Sequence, residues 1–311
     1  MNDQPKSGFF RDDGTEINPD LILTGEVMPE FGQVEKLVDS ATLAIGSSSA
    51  IFACGAARLG LRVGFVGLCA DDVFGRFMLA EMHRCCVDCS NVIVRSEGAT
   101  GLSVILNRSS DRAILTFPGL MPALQAADIA DALLEQARHL HVASYFLQAG
   151  LQPGLPSLFE RAHRLHLTTS LDTNYDPSGA WAGVRELLNA TDVFLPNGTE
   201  ALAIAQAEDV ESAARRLAAQ AGLVAVKLGP AGALACRGNA LTHAAAIPVD
   251  VVDSVGAGDS FDAGFLFGYL NGWDLQKTLS FACACGALSM RKAGGTAGQP
   301  TLEEALRHVP G

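Results

Sequence analysis

The sequence has no window of about 18 uninterrupted apolar residues, and its opening segment, MNDQPKSGFFRDDGTEINPD, contains no apolar h-region. Neither a transmembrane span nor a secretory signal is expected, and a cytoplasmic protein follows. Basic residues are scarce, 22 against 34 acids for a formal net charge of -12. No basic stripe is left to neutralise a nucleic-acid backbone or an anionic membrane surface, so neither partner is expected. The absence of any Gly-Lys dipeptide removes the P-loop. A second cysteine pair at metal-binding spacing is also missing. Cys86 and Cys89 stand in a C-x-x-C beside Cys85, whereas Cys283 and Cys285 lie one residue apart in an apolar run. In a reduced chain such cysteines read as small buried hydrophobes. Repeats, low-complexity tracts and Pro/Gly-rich linkers are lacking too, so nothing divides the chain into independent domains.

What is present is a chain of 311 residues, 49% apolar, long enough to bury a large core. A polar N-terminal tail over residues 1–20 precedes LILTGEV, which reads as the first buried strand of a domain spanning 21–311. SSSAIFACGAARLG then reads as a small-residue helix ending at Gly60, RVGFVGL as a strand, and DDVFGRFMLAEMHRC as a helix opened by acids. NVIVR, GLSVILN and RAILTF follow with no helix between them. This run near residues 90–117 predicts a small β-sheet lid, joined by parts of the N-terminal region. Beyond it HLHVAS, TTSLDT, DVFLP and VAVKL alternate with helical patterns; Leu155, Leu158, Phe159, Ala162 and Leu165 form one apolar face. Such alternation predicts an α/β fold with a mostly parallel sheet covered on both sides.

The most informative stretch is VVDSVGAGDSFDAGFLFGYL, Val251 to Leu270. It reads as a strand, a turn of small residues and a helix, the place where parallel sheets bind ligands. Gly256 and Gly258 let the backbone approach a ligand, and nearby amides could converge on an anion. Asp259, in the first helical turn, is a poor companion for an anion unless it has another task, such as accepting a proton from an attacking hydroxyl. The plainer alternative is that Gly258 breaks the strand and Asp259 caps the helix. A dinucleotide fingerprint would need a third glycine where Phe261 stands. "NGTE", Asn197 to Glu200, taken alone is a helix start with Glu at N3. Lys227 is either a solvated strand-end side chain or a phosphate contact. His139 and His141 read as packing or surface residues.

DSVGAGDSFDAGF closely resembles the C-terminal signature of the PfkB-type, ribokinase-like carbohydrate kinases, D-T-x-G-A-G-D-x-F. AARLGLRVGFVGLCADDVFGRFML is similar to that family's N-terminal signature, LPNGTEA to its N-x-x-E motif, VKLGPAGA to its L-G-x-x-G loop and LDTNYDPSGAW to its D-x-N segment. The resemblance implies a three-layer α/β/α ribokinase-like fold with a small lid, and ATP-dependent phosphorylation of a primary hydroxyl of a sugar or sugar-like molecule. It implies that Asp259 is the base and that the amides of Gly256, Ala257 and Gly258 form the anion hole. Asn197 and Glu200 would help hold Mg²⁺, through water, and Asn174 would reach the nucleotide phosphates. Lys227, Gly229 and Gly232 would lie on the nucleotide side. Asp253 and RKAGGT resemble a monovalent-cation loop, which would take K⁺. A homodimer through the lid is known among related kinases.

On the acceptor side the pattern departs from the family. The best match to its acid at the end of the first strand is Glu30, its Gly-Gly pair is here Gly46 and Ser47, and Ile51 stands in place of an Asn. Asp176 occupies the neighbourhood where sugar-acid kinases carry an Arg, which disfavours an acidic acceptor, while Arg112 could enter the site from the lid. The alternatives to a neutral-sugar kinase are a nucleoside or sugar-phosphate kinase of the same fold, and a noncatalytic nucleotide- or sugar-binding protein.

Overall fold

In the computed structural model, which describes residues 9–108 and 111–309, two sheets divide the work. The main sheet contains β1 (Phe9–Thr15), β4 (Arg62–Ala70), β5 (Ile93–Arg95), β8 (Ala137–Val142), β9 (Thr168–Leu171), β10 (Val193–Phe194), β11 (Leu223–Lys227), β12 (Ala233–Arg237) and β13 (Ala240–Ala244). Their spatial order is β13-β12-β11-β10-β9-β8-β1-β4-β5. All neighbours run parallel except β11/β12 and β12/β13, which close one edge as antiparallel pairs. A smaller sheet has the order β3-β2-β6-β7, with β2 Pro19–Thr24, β3 Ser40–Ile45, β6 Leu102–Arg108 and β7 Asp111–Phe117.

Helices cover both faces of the main sheet, the expected three-layer arrangement. One layer packs Phe52, Phe65, Phe265 and Phe281 into a common core, and the other packs Leu158, Phe159, Phe194 and Leu217. The helices Ala257–Leu270 and Leu275–Ser289 approach closely because small residues separate them. A Cβ built on Gly264 would lie 2.8 Å from Cys285 Sγ, and one on Gly268 would lie 2.8 Å from Thr278 Oγ1. Cys54, Cys69, Cys283 and Cys285 belong to the core as thiols outside any disulfide, and Cys85 and Cys89 pack against it. His139 and His141 are fully buried, sharing Ser170 Oγ at 2.7 Å each, and burial holds both below the usual imidazole range. No helix among the described residues is long and apolar enough to cross a membrane.

Three expectations change. The polar tail over 1–20 does not describe residues 9–20: FFRDDGT forms β1 near the middle of the main sheet, paired with β4 and β8, and Glu16 to Asp20 are buried. Residues 1–8 lie outside the described residues. A parallel strand is held by its backbone ladder, so a short charged run can occupy it without an apolar signature. LILTGEV, expected as the first core strand, supplies β2 of the small sheet instead. Of the helix-free run, β6 and β7 join that small sheet, while Ile93–Arg95 extends the main sheet beside β4.

Candidate active site

The helix Ala257–Leu270 begins at Gly256, whose φ of 73° is left-handed backbone that L side chains avoid. Ala257, Gly258 and Asp259 follow in the first turn, where a helix leaves its N–H groups without intrahelical acceptors. Two cavities meet across this turn. The larger, about 710 Å³, is lined by Ala257 and Gly258 together with Gly229, Gly232, Ile247 and Phe261. The smaller, about 370 Å³, is lined by Gly256 and Asp259 together with Glu16, Asp20, Arg112 and Asn174. The first is mainly apolar, and the second is ringed by hydrogen-bonding groups. First-turn amides, of which Ala257 N donates to Ser254 O at 3.4 Å, a dipole favouring negative charge and a carboxylate thus stand between an apolar slot and a polar bowl.

Among the described residues, one side chain holds Asp259 by a hydrogen bond. The Ser48 hydroxyl donates to its Oδ1. Burial pushes its carboxyl up to about 7, opposed by the Ser48 hydrogen bond and reinforced by Asp172. Ser48 is in turn fixed by Glu16, whose Oε1 accepts the Ser48 amide at 2.6 Å and the Ser144 hydroxyl at 2.7 Å. Asn174, at a φ of 53°, donates from Nδ2 to Ser144 Oγ at 2.7 Å. Burial also raises Glu16 and Asp20 to about 7 each, with the charge of Asp259 adding at Asp20.

Beneath the turn lies a buried charge cluster. Lys227 Nζ is 2.9 Å from Asp172 Oδ2 and 2.9 Å from Asp262 Oδ2. Burial opposes the ammonium, but Asp172, Asp262 and Glu200 outweigh it and hold Lys227 charged. Burial likewise opposes the charge on Asp172, but Lys227 holds its carboxyl below the usual range; burial pushes Asp262 well above that range, with Lys227 opposing the shift and Asp172 adding to it. Lys227 is therefore not a solvated strand-end lysine: its ammonium is paired inside the fold, while its side chain also lines the larger cavity beside Gly258. Asp172, Asp259 and Asp262 could offer three oxygens to a metal, but two of them already serve this ammonium.

The other expected residues fall as follows. Asn197 and Glu200 form the reciprocal cap of the helix Gly198–Ala205: Glu200 N donates to Asn197 Oδ1 at 3.0 Å, and Asn197 N to Glu200 Oε2 at 2.8 Å. Glu200 is buried at the wall of the smaller cavity, and burial, with Asp172, raises it to about 7. Its oxygens are engaged by Asn197, which fits an outer contact to hydrated Mg²⁺ better than direct ligation. Asp253 ties two loops, accepting Val255 N at 3.0 Å and Gly294 N at 2.9 Å. Ser47 and Arg112 line the smaller cavity. Asn174 lines it as well, together with Glu200, Gly256 and Asp259.

Glu30 is not brought to the site. Its side chain is 59% exposed and pairs with Lys36 at 3.4 Å. The acid at the cavity is Asp20, ten residues earlier, with Asn18 donating to Ser103 Oγ at 3.2 Å beside it. The displaced strand register explains the difference. Glu16, Asn18 and Asp20 recur at spacing two, the strand signature that could have disclosed them. Gly46 permits this placement: a Cβ there would lie 2.2 Å from Asp20 Oδ1. Gly46→Ala should accordingly raise the acceptor KM about tenfold or more and move the KM for ATP less than about twofold, as steady-state kinetics with each substrate varied would record.

The model of the pfkB family of carbohydrate kinases matches residues 20–302. A 5-dehydro-2-deoxygluconokinase from Geobacillus thermodenitrificans is 30% identical over 288 residues, 85% of each chain. A fructokinase from Klebsiella pneumoniae is 31% identical over 285 residues, 85% of this chain and 91% of that one. Among solved structures, an E. coli candidate ribokinase II in complex with ATP and Mg²⁺ superposes with a TM-score of 0.85 at 22% identity, covering 97% and 98% of the two chains.

Proposed function

Because this chain belongs to the pfkB family of carbohydrate kinases, we propose that it transfers the γ-phosphoryl group of ATP to a primary hydroxyl of an uncharged sugar or polyol. The observation that carries this reading is the meeting of the two cavities at Gly256–Asp259. Adenosine fits the apolar slot beside Gly229, Gly232 and Phe261, with the phosphates toward the first turn of the helix Ala257–Leu270. The acceptor fits the polar bowl, where Asp20, Asn18 and Asn174 offer partners for hydroxyl groups.

In this reading Asp259 accepts the proton of the attacking hydroxyl, and the amides of Gly256, Ala257 and Gly258 stabilise charge on the moving phosphoryl group. Mg²⁺, when bound, neutralises phosphate charge, and Glu200 contributes to holding it through water. Asp253 and the loop from Arg291 to Thr296 are the residues that would hold K⁺, and omission of K⁺ from the assay checks that assignment. Excluding bulk water by the small sheet over the bowl would limit wasteful ATP hydrolysis.

Charge supports an uncharged acceptor. Four acids, Glu16, Asp20, Glu200 and Asp259, line the smaller cavity, against the single cation Arg112 among the described lining residues. An ADP-release assay over neutral sugars, sugar acids, sugar phosphates and nucleosides tests the reading. Turnover of a neutral sugar or polyol is expected to exceed that of its acid counterpart. Preference for an acid or a phosphorylated sugar would overturn the acceptor class, and ATP binding without turnover on any acceptor would indicate a binding protein.

The base also sets a pH dependence. Only the ionised carboxylate accepts a proton, and a carboxyl raised to about 7 loses that form as pH falls below 7. The kcat/KM is therefore expected to climb through about pH 7 and level off above it, about three pH units higher than an ordinary aspartate would give. A profile flat from pH 5 to pH 8 (about three units around the inflection) would contradict the assignment.

A further inference from the structure

We propose that Ser48 and Glu16 are positioning residues for the base: Glu16 clamps the amide of Ser48, and the Ser48 hydroxyl orients the Asp259 carboxylate toward the acceptor. The inference rests on the kinase reading above and adds two residues that no motif in the sequence marks.

The geometry is a continuous chain of donors. Asn174 Nδ2 donates to Ser144 Oγ at 2.7 Å, Ser144 donates to Glu16 Oε1 at 2.7 Å, the Ser48 amide donates to the same oxygen at 2.6 Å, and the Ser48 hydroxyl donates to Asp259 Oδ1. Ser48 opens the helix Ser48–Arg58, so its position follows that helix, and Ser47 caps the helix by accepting from Ala50 N at 3.0 Å. With Oδ1 engaged by Ser48, Oδ2 is the oxygen left to receive a proton; among the described residues nothing donates to it. A carboxylate that rotated freely would spend much of its time misaligned, and proton transfer depends steeply on alignment.

A second observation comes from the cost of the arrangement. Glu16 is 2% exposed, yet among the described residues its Oε2 has no hydrogen-bond partner. A buried, half-satisfied carboxyl is destabilising, and folds carry such groups where a site requires them. Here one oxygen does two tasks at the acceptor cavity while the other goes unmatched. Around Asp259 the facing charged or titratable groups are Glu16, Asp172, Lys227, Asp20 and Glu200. Of these, only Glu16 holds the residue that donates to the base.

The test is steady-state kinetics on whichever sugar the wild-type chain phosphorylates. Ser48→Ala should lower kcat about 10- to 100-fold, the range for losing a hydrogen bond to a charged group, with the KM for ATP within about twofold. Ser48→Thr, which keeps the hydroxyl, should recover most of that loss. Glu16→Leu should reproduce the Ser48→Ala defect, whereas Glu16→Gln, which keeps an acceptor for Ser48 N and Ser144, should stay within about fivefold of wild type. Thermal unfolding of each variant separates folding from catalysis, and Ser48→Ala leaves the Ser47 cap intact should Glu16→Leu fail to fold. Wild-type kcat in Ser48→Ala, or a lower acceptor KM with kcat preserved, would overturn the inference, the latter by showing that Ser48 competes with the acceptor. Absence of sugar phosphorylation by the wild-type chain would instead overturn the kinase reading itself.

Discussion

Asp259→Asn is expected to lower kcat by about 10²- to 10⁴-fold, the contribution of a positioned general base, while ATP binding measured by calorimetry changes little. The substitution is nearly isosteric. An Asn Oδ1 can still accept from the Ser48 hydroxyl, so the local fold persists and only the proton acceptor is lost. The amides of the first turn are untouched, which separates this variant from one that damages phosphate binding. The burial of Asp259 sharpens the expectation, because replacing a desolvated carboxyl by an amide relieves rather than adds a cost to the fold. The variant should unfold at or above the wild-type temperature, and a parallel loss of stability and turnover would mean that Asp259 is structural.

Gly256→Val is expected to abolish measurable turnover and to destabilise the protein, for two reasons that act together. At a φ of 73° a β-branched residue is strained on its own backbone, by about 1–3 kcal/mol. Its Cβ would also lie 2.8 Å from Gly295 Cα, 2.8 Å from Gly295 O and 2.8 Å from Ile51 Cγ2. Backbone atoms of the neighbouring loop cannot rotate away as a side-chain tip can, so the turn itself must move. Gly258→Ala is the control: a Cβ there would meet only Lys227, at 3.7 Å, an ordinary contact. Kinetics and thermal denaturation of the pair should therefore diverge, Gly256→Val losing both activity and several degrees of Tm, and Gly258→Ala keeping its fold. Equal effects would show that phosphate approach, not backbone geometry, dominates at both glycines.

The distribution of what the sequence disclosed follows from how each feature is encoded. The turn at Gly256 is local: a glycine requirement, a helix start and an acid stand within four residues, so its geometry could be read from a short window. The layered fold was legible for a similar reason, since periods of 3.6 and 2 repeat along the chain. The smaller cavity was not, because it is assembled from Glu16, Asp20, Ser48, Ser144 and Asn174, brought together only by the strand order. Once the charged run Phe9–Thr15 is passed over as a tail, the first strand shifts to LILTGEV and the search for an acid moves on to Glu30. Lys227 shows the same limit. Its partners Asp172 and Asp262 are 55 and 35 residues away, so a matched internal ion cluster was indistinguishable from a solvated lysine.

The most direct measurement is a structure of the chain with a non-hydrolysable ATP analogue, Mg²⁺ and an acceptor that supports turnover. The account predicts the terminal phosphoryl group at the amides of Gly256, Ala257 and Gly258, and the reacting hydroxyl within about 3 Å of an Asp259 carboxylate oxygen. A nucleotide seated away from the Gly229–Phe261 slot, or an acceptor hydroxyl out of reach of Asp259, would contradict it.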